Sequence, residues 1–129
     1  MATPMKIPNF HDGYFDGFWI GPSKLVQFFL RTVDQESFVL ILEGVQALAL
    51  TDVKQGNIIL DLVFRGTGEL THSDIQDLYG VGPDTLQVLS FLKTAKEQRL
   101  QVLEVNSSYG AQGLVLFQSW ELSQRQVQP

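Results

Sequence analysis

The sequence predicts an α+β domain: a mainly antiparallel sheet of six to seven strands, with one short and one longer helix inserted before the last two strands. Three observations predict it. Apolar segments of strand length follow one another up to residue 65, separated by short polar turns. Capping chemistry and helical spacing then appear for the first time, between residues 71 and 99. Two more strand-like segments complete the chain. The short links favour antiparallel meander pairing over βαβ crossovers. The pattern leaves open whether the sheet is curled or barrel-like.

The elements can be justified in order. "YFDGFWI" (14–20) stops at Gly21-Pro22-Ser23, a turn signal. "KLVQFFLRTV" (24–33) gives way to Asp34-Gln35-Glu36-Ser37, a polar break of hairpin length. "FVLILEGV" (38–45) is almost wholly apolar, as a strand covered on both faces is. Gly44 interrupts it, and "VQALAL" (45–50) then sets Leu48 and Leu50 on one face. In "NIILDLVFR" (57–65), strict alternation places Ile58, Leu60, Leu62 and Phe64 together and Asp61 opposite. A short helix follows in "THSDIQDLYG", with Ser73 and Gln76 at capping-box spacing and Gly80 as the stop. The longer helix starts at Asp84, its expected N-cap, with Leu86, Leu89 and Leu92 or Lys93 at helical spacing beside Val88, Phe91 and Ala95. Lys93, Lys96 and Arg99 suit the negative end of its dipole. The last strands are 99–107 and 111–123, the latter with Leu114, Leu116, Trp120 and Leu122 on one face. Residues 1–129 form a single domain, with 1–9 and 124–129 expected to fray.

Composition narrows the function classes. The 129 residues contain no cysteine, which excludes disulfide scaffolds, thiolate metal sites and cysteine nucleophiles within them. The first ten residues lack the apolar run of a signal peptide, and no window approaches eighteen apolar residues, so a cytoplasmic chain without a membrane span is expected. Formal net charge is −5 and the nine basic residues are scattered, so no nucleic-acid partner is expected.

"HDGYFDG" is the densest cluster of reactive residue types. A His-Asp pair suits metal-dependent phosphohydrolases, but those need further ligands, and His72 is the one other histidine. Asp12 and Asp16 lack calcium-loop spacing. His11-Asp12-Gly13 therefore reads as a turn, held by aspartate bonds to nearby amides. Gly17 beside Asp16 marks a bulge that leaves Asp16 pointing outward. His72 at a helix start reads as a solvated lead-in residue, and no serine occupies a G-x-S-x-G elbow. "GTGELT" (66–71) ends in threonine where a dinucleotide loop needs glycine. "NSSYGAQG" combines Asn106, Ser107, Ser108 and Tyr109 with glycine, which suits a binding loop and an ordinary hairpin turn alike. No catalytic residue, cofactor or metal is assigned. The candidate residues for a ligand or partner are His11, Asp12, Asp16, Trp19, Ser108 and Tyr109.

The aromatic residues carry the partner argument. Phe18-Trp19 and Phe28-Phe29 are adjacent pairs within strands, so one ring of each faces either side of the sheet. Both faces then need cover, from a helix, from curling of the sheet, or from a second subunit, and a homodimer is the expected source.

"FHDGYFDGFWI", the "FVLILEGV" strand, a following "LAL" strand and the late "NSSYGA" turn resemble small bacterial proteins, some grouped with the immunity proteins of contact-dependent toxin systems. The residues that carry the likeness are His11, Asp12, Gly44, Val45 and Ser108 to Gly110. The resemblance implies a compact, acidic, non-enzymatic binder. An interaction module is thus the expected function. Its rivals are a small-ligand protein or minor enzyme, with a pocket between sheet and helix, and a structural subunit of a homo-oligomer.

Overall fold

The computed structural model describes residues 7–82 and 85–125. Five strands come first: β1 Tyr14–Ile20, β2 Val26–Arg31, β3 Ser37–Glu43, β4 Ala47–Thr51 and β5 Asn57–Arg65. A 3-10 turn at Thr67–Glu69 leads to helices α1 His72–Tyr79 and α2 Thr85–Glu97. The chain then forms β6 Gln101–Tyr109, β7 Gln112–Phe117 and β8 Ser119–Arg125. The sheet has eight strands rather than six to seven, because the last expected segment breaks at Gln118 into β7 and β8. The α+β class and the antiparallel pairing are as expected.

The strand order is β4-β7-β6-β5-β1-β2-β3-β8, and each pairing is antiparallel. Its two ends meet. β3 leads into β4 and β7 into β8, and the two bends coincide. There Gln118 N donates to Glu43 O at 3.0 Å, and Gln46 N donates to Leu116 O at 2.8 Å. Pairing therefore continues round the corner, and the sheet closes into a barrel. Gly44 makes the bend possible: its φ is +64°, and an added Cβ would lie 2.4 Å from the Gln118 side chain.

The bend also explains a correction. Leu114, Leu116, Trp120 and Leu122 do not share a face. Leu114 and Leu116 pack under the helices, while Trp120 and Leu122 join the barrel interior, because the irregularity at Gln118 shifts the alternation. Bulges do the same in β5. Register shifts between Ile58 and Asp61 leave Ile59 buried, Leu60 exposed, and Leu62 and Phe64 against the core, so the four residues expected on one face divide between two.

Two apolar clusters fill the fold. Phe15, Phe28, Leu30, Leu40, Leu42 and Phe117 anchor the interior. Phe10 packs edge-on against Phe38 at 5.6 Å. The second cluster lies between the helices and the outer face of β4, β7 and β6, where Ile75, Val88 and Leu92 meet Val102 and Leu116. The face that α2 buries is Val88, Leu92 and Ala95; Leu86 and Leu89, expected inside, are exposed. The expected N-cap Asp84 lies outside the described residues.

Polar bonds pin α1 in place. Its N-cap is Thr71 with Asp74 completing the capping box, two residues before the expected Ser73 and Gln76 pair. Asp74 also receives two bonds from Arg65 of β5, at 2.7 and 2.8 Å, and Arg65 reaches Glu104 of β6 at 2.5 Å. Burial pushes the Asp74 carboxyl up, but the Arg65 guanidinium and the Thr71 amide outweigh it and hold the group below its usual value.

Asn57 is the other polar fixture, 3% exposed. Its Nδ2 donates to Phe15 O at 3.2 Å and to Lys54 O at 2.6 Å. Its Oδ1 accepts from Lys54 N at 2.7 Å and from Ala111 N at 2.9 Å. Asn57→Ala strands these groups and is expected to lower stability by about 2–4 kcal/mol in urea denaturation. Asn106→Ala, which removes one exposed bond to Asp61, should stay within about 0.5 kcal/mol of the parent.

Asp74→Asn is expected to cost about 1–3 kcal/mol at neutral pH, because Arg65 keeps Glu104 but loses the carboxylate that takes two of its bonds. A carboxyl lowered by folding adds stability that is present above its unfolded value and is lost as pH falls through the folded one. Urea midpoints of variant and parent should therefore converge as pH falls below about 4.

Candidate interaction surface

The wall of the barrel away from the helices gathers most of the residues singled out in the sequence. Register places Arg31 of β2 beside Tyr14 of β1, Tyr14 beside Ile58 of β5, and Ile58 beside Tyr109 of β6. Phe15 and Ile59 point inward, so Tyr14 and Ile58 point out. Directly opposed residues on neighbouring strands lie about 5 Å apart, so the four side chains form one row across the wall. The Arg31 guanidinium sits 4.4 Å from the centre of the Tyr14 ring. At the other end of the row Tyr109 is 50% exposed, and Leu60, two residues along β5 from Ile58, is 44% exposed.

Asp16 orders the cationic end. A register shift between Phe15 and Gly17 turns it outward, as the adjacent glycine predicts. Its carboxylate accepts from Arg31 Nε at 2.6 Å and from Arg31 Nη2 at 2.8 Å, a two-point pair that fixes the guanidinium over the ring.

The His11-Asp12 turn lies alongside β5. Asp12 N donates to Ile59 O at 3.0 Å, and His11 Nδ1 bonds to Leu60 O at 2.8 Å, so that nitrogen carries the proton. His11 Nε2 lies 3.5 Å from Asp12 Oδ2. The turn exists as expected, but its side-chain acceptor is Asn9: Oδ1 of Asn9 takes the His11 amide at 3.0 Å, and the Asp12 carboxylate faces the histidine. Asp61 and Asn106 continue the polar edge, joined at 2.7 Å.

Ser108 is exposed next to Tyr109, at the end of a strand that runs two residues further than expected. Trp19 lies apart from this group, toward the far end of β1 and opposite Gln27. The structure thus brings His11, Asp12, Asp16, Ser108 and Tyr109 around one wall and leaves Trp19 on another feature. Tyr14, Arg31, Ile58 and Leu60 were missed. Their signal is positional, since only cross-strand register makes them neighbours.

A depression of 130 Å³ is lined by Asn9, His11, Asp61 and neighbouring apolar residues. That is room for about four water molecules, against the roughly 300 Å³ or more of a small-molecule site. Among the described residues no three of His, Asp or Glu are grouped to hold a metal. No helix among them is long and apolar enough to cross a membrane.

Neither a protein-family model, nor a curated protein, nor a solved structure matches the chain. The reading of the wall rests on its own residues.

Tyr109→Ser and Leu60→Ser are expected to shift stability by no more than about 0.5 kcal/mol, because these side chains stand outside the packed clusters. Thermal melts of the two variants check this, and a large loss would place the residues in the core.

Proposed function

We propose that the chain is a small bacterial interaction protein, immunity-like, that acts in the cytoplasm by binding a basic protein through the Arg31–Tyr14–Ile58–Tyr109 row. The row carries the reading. Tyrosine and arginine dominate binding hot spots, since they bring large contact areas with few rotatable bonds. They stand on paired strands, so little order has to be gained on binding.

Charge supports the choice of partner. The net charge is −5, and exposed Asp12 and Asp61 flank the row while Asp16 neutralises its one arginine. A basic partner would be steered toward such a surface, and the steering would weaken with salt. The polar side chains of the wall are already engaged with one another, which suits recognition better than proton transfer.

A small-ligand role has less support. His11, Asp12, Asp16 and Tyr109 lie on the barrel wall, while the helices cover β4 and β7, so these groups do not converge on a pocket beneath a helix.

The test uses the protein as bait in native lysate from the source cell, alongside a Tyr14→Ala, Tyr109→Ser double variant. A specific partner should be retained by the parent, less so as salt rises, and its affinity should drop by about tenfold to a hundredfold in the variant. Equal retention by both baits overturns the proposal, as does retention of no protein at any salt concentration.

A further inference from the structure

β1 is paired on both sides only at its start. It meets β5 through Tyr14 and Phe15, and beyond that, among the described residues, the edge from Gly17 to Ile20 has no strand partner. Three consecutive large apolar residues are exposed on this edge: Phe18 at 39%, Trp19 at 45% and Ile20 at 61%. Edge strands are ordinarily protected by lysine, proline or an inward charge, because an open ladder recruits another strand. Gly17 to Ile20 carries none of these, and the nearby Asp16 is already neutralised by Arg31.

We infer that this edge pairs with the same edge of a second copy of the chain, antiparallel about a twofold axis at Phe18. The register follows from geometry. A twofold perpendicular to the sheet keeps each residue on its own face, so opposed residues must have the same parity. Centring on Phe18 satisfies this from Gly17 to Trp19, and the bulge ends the ladder at Asp16, which faces outward while Ile20 lies on the Val26 face. Phe18 then opposes Phe18 of the second copy, and Trp19 opposes Gly17.

Gly17 makes room for the indole, since an added Cβ there would meet nothing within 4 Å. A ring opposite a glycine on a strand edge is a known stabilising pairing. The two Asp16 carboxylates stay apart, so an acidic chain brings no like charges together at the join. The result is one sheet running β8-β3-β2-β1 into the same four strands of the second copy. This pairing is independent of the tyrosine row.

Light scattering over a wide concentration range tests the pairing, with dimers expected at twice the 14.5 kDa chain mass. Ile20→Lys should weaken self-association by roughly tenfold or more, and circular dichroism shows whether the variant is folded. The chain has no cysteine, so single cysteines report the register directly. Opposed Cα atoms about 5 Å apart fit a disulfide, so Phe18→Cys should oxidise to a covalent dimer. Trp19→Cys, offset from its own copy, should not. A parent that stays monomeric at all concentrations overturns the proposal, as does crosslinking through position 19 and not 18.

Discussion

Asn57 holds together the weakest seam of the barrel. β1 and β5 share only two residue pairs, far fewer than any other neighbouring strands. A single buried amide stands at that seam, and its four bonds reach β1, the loop before β5 and the β6–β7 turn. Gly110 lets the turn come this close, as an added Cβ would lie 2.2 Å from Asn57 Oδ1. Buried polar groups cost free energy unless fully bonded, and bonding of this completeness turns the cost into a fixed geometry. The row of side chains outside depends on it, because Tyr14, Ile58 and Tyr109 are neighbours only while the seam stays closed.

The helices cover one part of the barrel and leave the rest of the wall bare. Where they lie, adjacent apolar residues such as Val102 and Leu103 are both fully buried, one toward the helices and one toward the interior. On β2 the equivalent pair behaves differently. Phe28 is buried, whereas Phe29 lies on the outer face with Arg125 5.4 Å from its ring. Among the described residues, then, the adjacent pair beneath the helices is covered on both faces, whereas the adjacent rings of β2 are covered on one. Rings left outside and the open edge of β1 both lie on the uncovered wall, where the proposed recognition surfaces are.

Local signals were legible wherever one residue and its near neighbours decide the outcome. Gly80 ends α1 in a left-handed conformation, and the glycine beside Asp16 coincides with a bulge. The cap of α1 was not read: the box is Thr71 and Asp74 rather than the expected Ser73 and Gln76, and Asp74 has the added attraction of Arg65, nine residues away. The buried face of α2 was not readable, because leucines occur around much of the helix and the contacts with β6 and β7 choose among them. In β5 strict alternation misplaced Ile58 and Leu60, since each bulge resets which side of the strand faces the core.

By itself the sequence determined the element types, their order and the antiparallel class, because turn chemistry and periodicity act over a few residues. It also determined the absence of cysteine chemistry in these 129 residues and the acidic balance of the chain. Only the tertiary structure decided that the sheet closes at Gly44 and Gln118, and that Arg31, Tyr14, Ile58 and Tyr109 share one wall. Closure and register are set by pairings between residues far apart in the chain. A bulge of one residue redirects every side chain after it, and the local pattern does not reveal which bulges the packed core will select.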